Sequence, residues 1–211
     1  LQSSLAAAGH STAVMRAASY YSPVSNFQDR IAGIGYFRLI EDLEKHFEEK
    51  KETLKENLKK LMLLIFRPEN LFVSVTTDEK GYLGVEGRVS TLRHLLYQTP
   101  VQTGKIHYDL EQKNEGFSTA GQVQYVAVSG NYKEAGYAYT GALRILKVIL
   151  SYDYLWMNIR VKGGAYGCMS SFKRSGDSFL VSYRDPHLKN TLEVFEKTPE
   201  YLRAFTADER E

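Results

Sequence analysis

The sequence predicts an α+β fold: two-layer domains with helices packed on one face of a mostly antiparallel sheet. Three observations predict it. Residues 27–67 space their apolar side chains helically, residues 122–128 alternate like a strand with one wet face, and residues 165–172 and 179–183 read as two strands around a turn at Ser175-Gly176-Asp177. The order helix, strand, helix and then strand, helix, strand, strand, helix places neighbouring strands antiparallel.

In chain order, Phe37, Ile40, Leu43 and Phe47, then Leu54, Leu58, Leu61 and Ile65, predict two helices with a break near residues 48–51. The Glu and Lys run over residues 41–60 is a solvated helix face with i,i+4 pairs. Pro68 stops the second helix, residues 71–77 are rich in strand formers, and a short helix follows at about residues 87–97. Pro100, Gly104 and Gly116 punctuate residues 98–116, which read as a connector, so a boundary near Lys105 divides the chain into residues 1–104 and 105–211. Gly130-Asn131 turns the chain after the strand at 122–128. Leu143, Leu146, Ile149, Leu150, Leu155 and Ile159 then predict a helix over 141–159, and a last helix spans 188–205.

A chain of 211 residues with 43% hydrophobic residues can bury a real core. Its 27 basic and 25 acidic residues are interspersed and leave a net charge of +2, which disfavours nucleic acid and membrane surfaces as partners. Cys168 is the only cysteine, so an internal disulfide and a cysteine-based zinc site are excluded; it reads as a small buried hydrophobe. A reducing compartment and a secreted disulfide-free setting both fit. The apolar run at 61–66 is far too short to cross a bilayer. A first residue of Leu1 and an ending in Asp208-Glu-Arg-Glu211 straight after a helix suggest a piece of something longer.

Several chemistries lack their residues. His46-Phe-Glu-Glu49-Lys50 approaches an inverted zinc motif, but Lys50 stands where a second histidine belongs and would repel the ion, so His46 reads as a helix-surface residue. His10, His94, His107 and His187 have no partner at ligand spacing, and no metal site is expected in this chain. Gly81, Gly84 and Gly87 lack the dinucleotide spacing and read as a flexible loop. No Gly-x-Ser-x-Gly elbow exposes a serine nucleophile. The tyrosines between Tyr132 and Tyr154, with Tyr137, Tyr139 and Tyr152, suit a core edge first and a binding wall second.

The stretch Arg160-Val-Lys-Gly163-Gly164-Ala-Tyr166-Gly167 carries the most chemistry. It sets a guanidinium at a helix end and a phenol at a strand start across two glycines. Both are donors, suited to a carbonyl oxygen that gains negative charge, and neither can serve as the base. A purely structural reading competes: glycine caps helices, arginine complements the dipole of a last turn, and tyrosine is at home in strands.

Arg160 to Cys168, continued by Phe179 and Ser182-Tyr-Arg-Asp-Pro186, resembles the C-terminal half of pitrilysin-type zinc metallopeptidases, in the presequence protease branch. Ala8-Gly-His10 with Arg16, Gly33-Ile-Gly-Tyr36 and Asn114-Glu-Gly-Phe117 extend the likeness through nearly the whole chain. The resemblance implies two similar halves closing around a chamber, with this chain as the end of a third domain (1–104) and most of a fourth (105–211). It implies that Arg160 and Tyr166 bind the substrate backbone and stabilise its oxyanion, with Gly163 and Gly164 permitting the turn that aims them. The zinc and its glutamate base would belong to the N-terminal half, so this chain alone is expected to cleave nothing. The implied partners are unfolded peptide substrates and the N-terminal half, and exposed sheet edges could pair two copies of the piece. Two other readings stand beside it: a non-catalytic scaffold or partner subunit of the same fold, and a binding module using the tyrosine wall.

Overall fold

The computed structural model describes residues 7–102, 104–119 and 121–206. The chain separates into two compact units, residues 1–40 with 108–211, and residues 41–107.

The first unit is built on a three-stranded antiparallel sheet of β1 (Ala127–Asn131), β2 (Gly167–Phe172) and β3 (Asp177–Tyr183), in the order β1-β3-β2. The fold is therefore α+β. β2 and β3 lie close to their expected bounds, and the turn between them needs Gly176, whose φ of +102° is left-handed. Register pairs Gly167 with Tyr183 and Ser170 with Leu180. The first strand starts later than alternation predicts. Gln124 makes only an isolated bridge to Asp185, and the ladder runs through Gly130 and Asn131, where a turn was expected.

Two helices lead into this unit, α1 (Gly9–Ala18) and α2 (Pro23–Ala32), the second capped by the Ser22 hydroxyl, which accepts from Ser25 N. Arg16 fastens them. Its Nη1 pairs with Asp29 Oδ2 at 2.8 Å and its Nε with Glu115 Oε2 at 2.8 Å, and the bond to Glu115, more than burial opposes it, raises the guanidinium's proton affinity. α1 lies along β1 and β3, where Tyr21 Oη and Ser129 Oγ meet at 2.8 Å.

After β1 the helix expected over 141–159 changes character. α6 (Ala142–Ile149) is regular, but Leu150–Val161 winds as a π-helix, whose last turn is marked by Lys162 N donating to Met157 O at 3.0 Å. Its buried residues are Leu150, the adjacent pair Tyr154 and Leu155, and Ile159, so successive turns bury positions four or five apart, which suits the wider turn and leaves Asp153 and Val161 in water. Together with Val126, Ala165 and Phe195 they form the core, against which Cys168, Phe172 and Leu180 pack from the sheet. The last helix is two: α7 (Leu188–Glu196) and α8 (Thr198–Ala204), broken at Lys197 before Pro199. Buried Asp185 anchors α7 by accepting from His187 N at 2.8 Å and Thr191 Oγ1 at 2.6 Å.

The second unit takes in the end of α3 (Ile34–Lys45), α4 (Phe47–Ile65), a short 3₁₀ turn at Pro68–Asn70 and α5 (Glu79–Leu95). The break between α3 and α4 falls at His46, whose ring, on the helix surface, pairs with Asp42 at 3.1 Å. Residues 71–77 are not a strand: none of the described strands pairs with them, and strand propensity without a ladder partner does not make a strand. Gly81, Gly84 and Gly87 are helical, not a loop. Asp78 starts α5 by accepting from Gly81 N at 2.8 Å, and the signal of that cap outweighs the glycines. The apolar residues of α4, Leu58 and Leu61 through Ile65, are about half exposed within this chain.

Candidate functional site: a donor-lined pocket at the π-helix terminus

The π-helix ends by turning sharply into β2. Gly164 N donates to Arg160 O at 3.0 Å and Ala165 N to Ile159 O at 3.1 Å, which closes the helix in the manner of a glycine cap. Both glycines are required, for different reasons. A Cβ on Gly163 would lie 2.6 Å from the Ile159 carbonyl oxygen, and Gly164 takes a φ of +76°. Ala165 is then buried as an anchor, and Tyr166 N donates to Arg184 O at 3.2 Å, which carries the chain into the sheet.

This turn brings Arg160 and Tyr166 together. The Arg160 guanidinium lies over Trp156 at 4.3 Å and over the Tyr166 ring at 5.4 Å, and its Nη1 donates to the Tyr166 carbonyl. Tyr183 meets the Tyr166 ring edge-on at 5.7 Å. The ring is thus held on two sides while the side chain remains 63% exposed, with no hydrogen bond to its hydroxyl among the described residues. Stacking orients the cation without neutralising it. Arg160 forms no ion pair among the described residues.

Arg160 and Tyr166 line an open pocket of about 350 Å³, together with His10, Gly167, Cys168, Met169 and Tyr183. Of the candidate site residues, Arg160 and Tyr166 are on its wall, while Gly163 and Gly164 are not among its lining and shape the turn. Sequence reasoning missed His10, Met169 and Tyr183 as wall residues. Tyr183 had a usable signal, since it is paired in register with Gly167, whereas His10 arrives from the opposite end of the chain. Tyr137 and Tyr152 are strongly exposed, whereas Tyr154 is buried, stacked on Tyr201 at 4.5 Å, with its hydroxyl donating to Val194 O. The tyrosines between 132 and 154 therefore form no single wall.

Cys168 sits between the pocket and the core. Burial pushes its thiol up to about 11; the Arg160 charge pulls the other way, and Asp185 adds to the rise. At pH 8 its alkylation by iodoacetamide is expected to run about two orders of magnitude slower than that of a free thiol, rising tenfold per pH unit until about pH 11. Arg160→Ala should slow it further by removing the one charge that favours the thiolate. A rate equal to that of a free thiol would contradict this burial. The same shift works against the fold in alkali: the neutral thiol is favoured in the folded state, so its contribution is intact below about pH 9 and is lost as pH rises through about 11.

Among the described residues no group of three or more His, Cys, Asp or Glu could hold a metal ion, and no helix is long and apolar enough to cross a membrane. The pocket can present the Arg160 and Tyr166 donors to an acceptor ligand, and no carboxylate lines it among the described residues.

Residues 114–211 match the family described as the PreP C-terminal domain. Over 211 residues, all of this chain and 22% of the relative, the sequence is 41% identical to Protein HypA of Clostridium perfringens. It is 29% identical to presequence protease 1, chloroplastic/mitochondrial, of Arabidopsis thaliana over 99% of this chain and 20% of that protein, and 28% identical to the mitochondrial presequence protease of Yarrowia lipolytica over 95% and 21%. The chain spans about a fifth of the length of these relatives. Residues 114–211 thus match the PreP C-terminal domain, and presequence proteases are similar to this chain along nearly all of its length.

Proposed function

We propose that the chain is the non-zinc-binding, C-terminal portion of a peptide-degrading metalloendopeptidase, and that Arg160 and Tyr166 hold the substrate backbone and stabilise the oxyanion. The observation that carries this reading is the convergence, on one open pocket, of an exposed phenol and a guanidinium that forms no ion pair among the described residues. Either residue buried in the core would have spoken for a structural role alone.

The metal of such an enzyme, zinc, would be held by residues outside this chain, where it would activate water. Among the described residues no group fits it. What these residues do is separate from that chemistry. Arg160, oriented by Trp156, offers its remaining N–H groups to a carbonyl oxygen, and Tyr166 offers one O–H. Fixed donors aimed at an oxygen that gains charge stabilise the transition state more than the ground state. In this reading residues 1–104 end a third domain and residues 105–211 make most of a fourth, although residues 1–40 pack into one unit with 108–211; the half-exposed apolar residues of α4 are covered by other parts of the polypeptide, and unfolded peptides are the substrates.

The experiment is peptide turnover by the full-length polypeptide with Arg160→Ala and Tyr166→Phe. A full-length protein that turns over no peptide at all would favour the scaffold reading instead.

A further inference from the structure

His10 is the second residue of α1 and reaches the same pocket. Its ring meets Tyr183 edge-on at 4.9 Å and 86°, and lies tilted against Tyr125 at 6.3 Å. Gly9 allows this close approach, since a Cβ there would fall 2.3 Å from Tyr125 Cδ2. The imidazole is therefore placed by packing on both sides.

One of its nitrogens is unusual. Nδ1 is buried and has no hydrogen-bond partner. A neutral imidazole carries a proton on one nitrogen and a lone pair on the other. A buried N–H without an acceptor is costly and rare, more so than an unused lone pair, so the proton belongs on Nε2. With Nδ1 shut away, Nε2 is the nitrogen left to meet a ligand in the pocket that His10 lines.

Three side chains lining the pocket can donate, Arg160, Tyr166 and His10 through Nε2–H, the rest of the described lining includes Met169, Cys168 and Tyr183, and no carboxylate side chain lines the space among the described residues. An acceptor-bearing chain complements such a surface, and an extended peptide presents carbonyl oxygens at regular intervals.

We infer that His10 is a third binding residue of the Arg160–Tyr166 site, its Nε2–H donating to a backbone carbonyl of the bound peptide beside the one held by Arg160 and Tyr166. This rests on the pocket being a peptide site. α1 thereby belongs to the binding surface as well as to the packing of the sheet.

The test measures the Kd of a fluorescein-labelled unstructured peptide on the full-length polypeptide, with KM and kcat alongside. Gln places an amide N–H near the position of Nε2, whereas Asn places it near that of Nδ1. His10→Ala and His10→Asn should weaken binding and raise KM roughly three- to tenfold with kcat changed less than about twofold, and His10→Gln should stay near wild type. Thermal unfolding of each variant confirms that the fold is retained. Equal binding by all three variants overturns the inference, and so does His10→Gln as weak as His10→Ala, which would leave only ring packing. Arg160→Ala in the same assay separates the two levels of the argument. If it binds as wild type does, the peptide site itself falls and His10 with it; if it is weakened while the His10 variants are not, the His10 contact alone is wrong.

Discussion

Tyr166→Phe in the full-length polypeptide is expected to lower kcat for peptide cleavage by about a hundred- to a thousandfold, the scale of losing one oxyanion donor, while KM moves only a few-fold. The substitution removes one oxygen and nothing else. The ring keeps its edge contact with Tyr183 and its place beneath the Arg160 guanidinium, and the hydroxyl has no partner among the described residues whose loss would disturb the fold. Arg160→Ala is a broader lesion. It also deletes the bond to the Tyr166 carbonyl and the stacking on Trp156, so KM should rise together with the fall in kcat. Steady-state kinetics on a quenched fluorescent peptide separate the two patterns. A Tyr166→Phe enzyme with unchanged kcat would remove the phenol from the reaction.

Leu155→Ala should cost about 2–5 kcal/mol of stability, the range for truncating a leucine inside a packed core. Leu155 is fully buried in the core cluster that joins the π-helix to α7, with Leu150, Ile159 and Phe195. That helix is the one whose last residues carry Arg160, so the loss should appear both in the urea midpoint of unfolding and as a site that fails at lower temperature. Val161→Ala, at a position 58% exposed on the same helix, is the internal control and should change stability by less than about 0.5 kcal/mol. A Leu155→Ala protein as stable as the control would mean that the core is not organised around this helix.

The part of the structure most legible in the sequence is the part that builds the site. The paired glycines announced a helix end followed by a strand, and both the left-handed Gly164 and the turn at Gly176 are positions where backbone sterics leave few choices. Local rules suffice there because the contacts that matter are local. Where partners lie far apart in sequence, the same rules fail. Residues 71–77 have strand composition but no described strand to pair with, and the glycines of α5 are outweighed by a single aspartate cap. The π-helix was hidden because its apolar residues fit a 3.6-residue period loosely, and only the burial of Tyr154 with Leu155 shows the wider turn. Likewise His10, although part of the Ala8-Gly-His10 block, carries no local signal that puts it in the pocket. Its place in the pocket depends on α1 crossing the sheet, and on Gly9 letting it approach Tyr125. The resemblance to presequence proteases was legible from a few short blocks, since Arg160 to Cys168 lies within the matched region 114–211.

Photo-crosslinking reads whether the rim formed by Arg160 and Tyr166 meets substrate. A benzophenone-bearing phenylalanine analogue placed at position 166 of the full-length polypeptide, irradiated with a labelled unstructured peptide, should form a covalent adduct with that peptide. The same analogue at position 137, whose tyrosine is 71% exposed and lies outside the pocket, should form little. Labelling at 137 equal to that at 166, or no peptide adduct at 166, would contradict that contact.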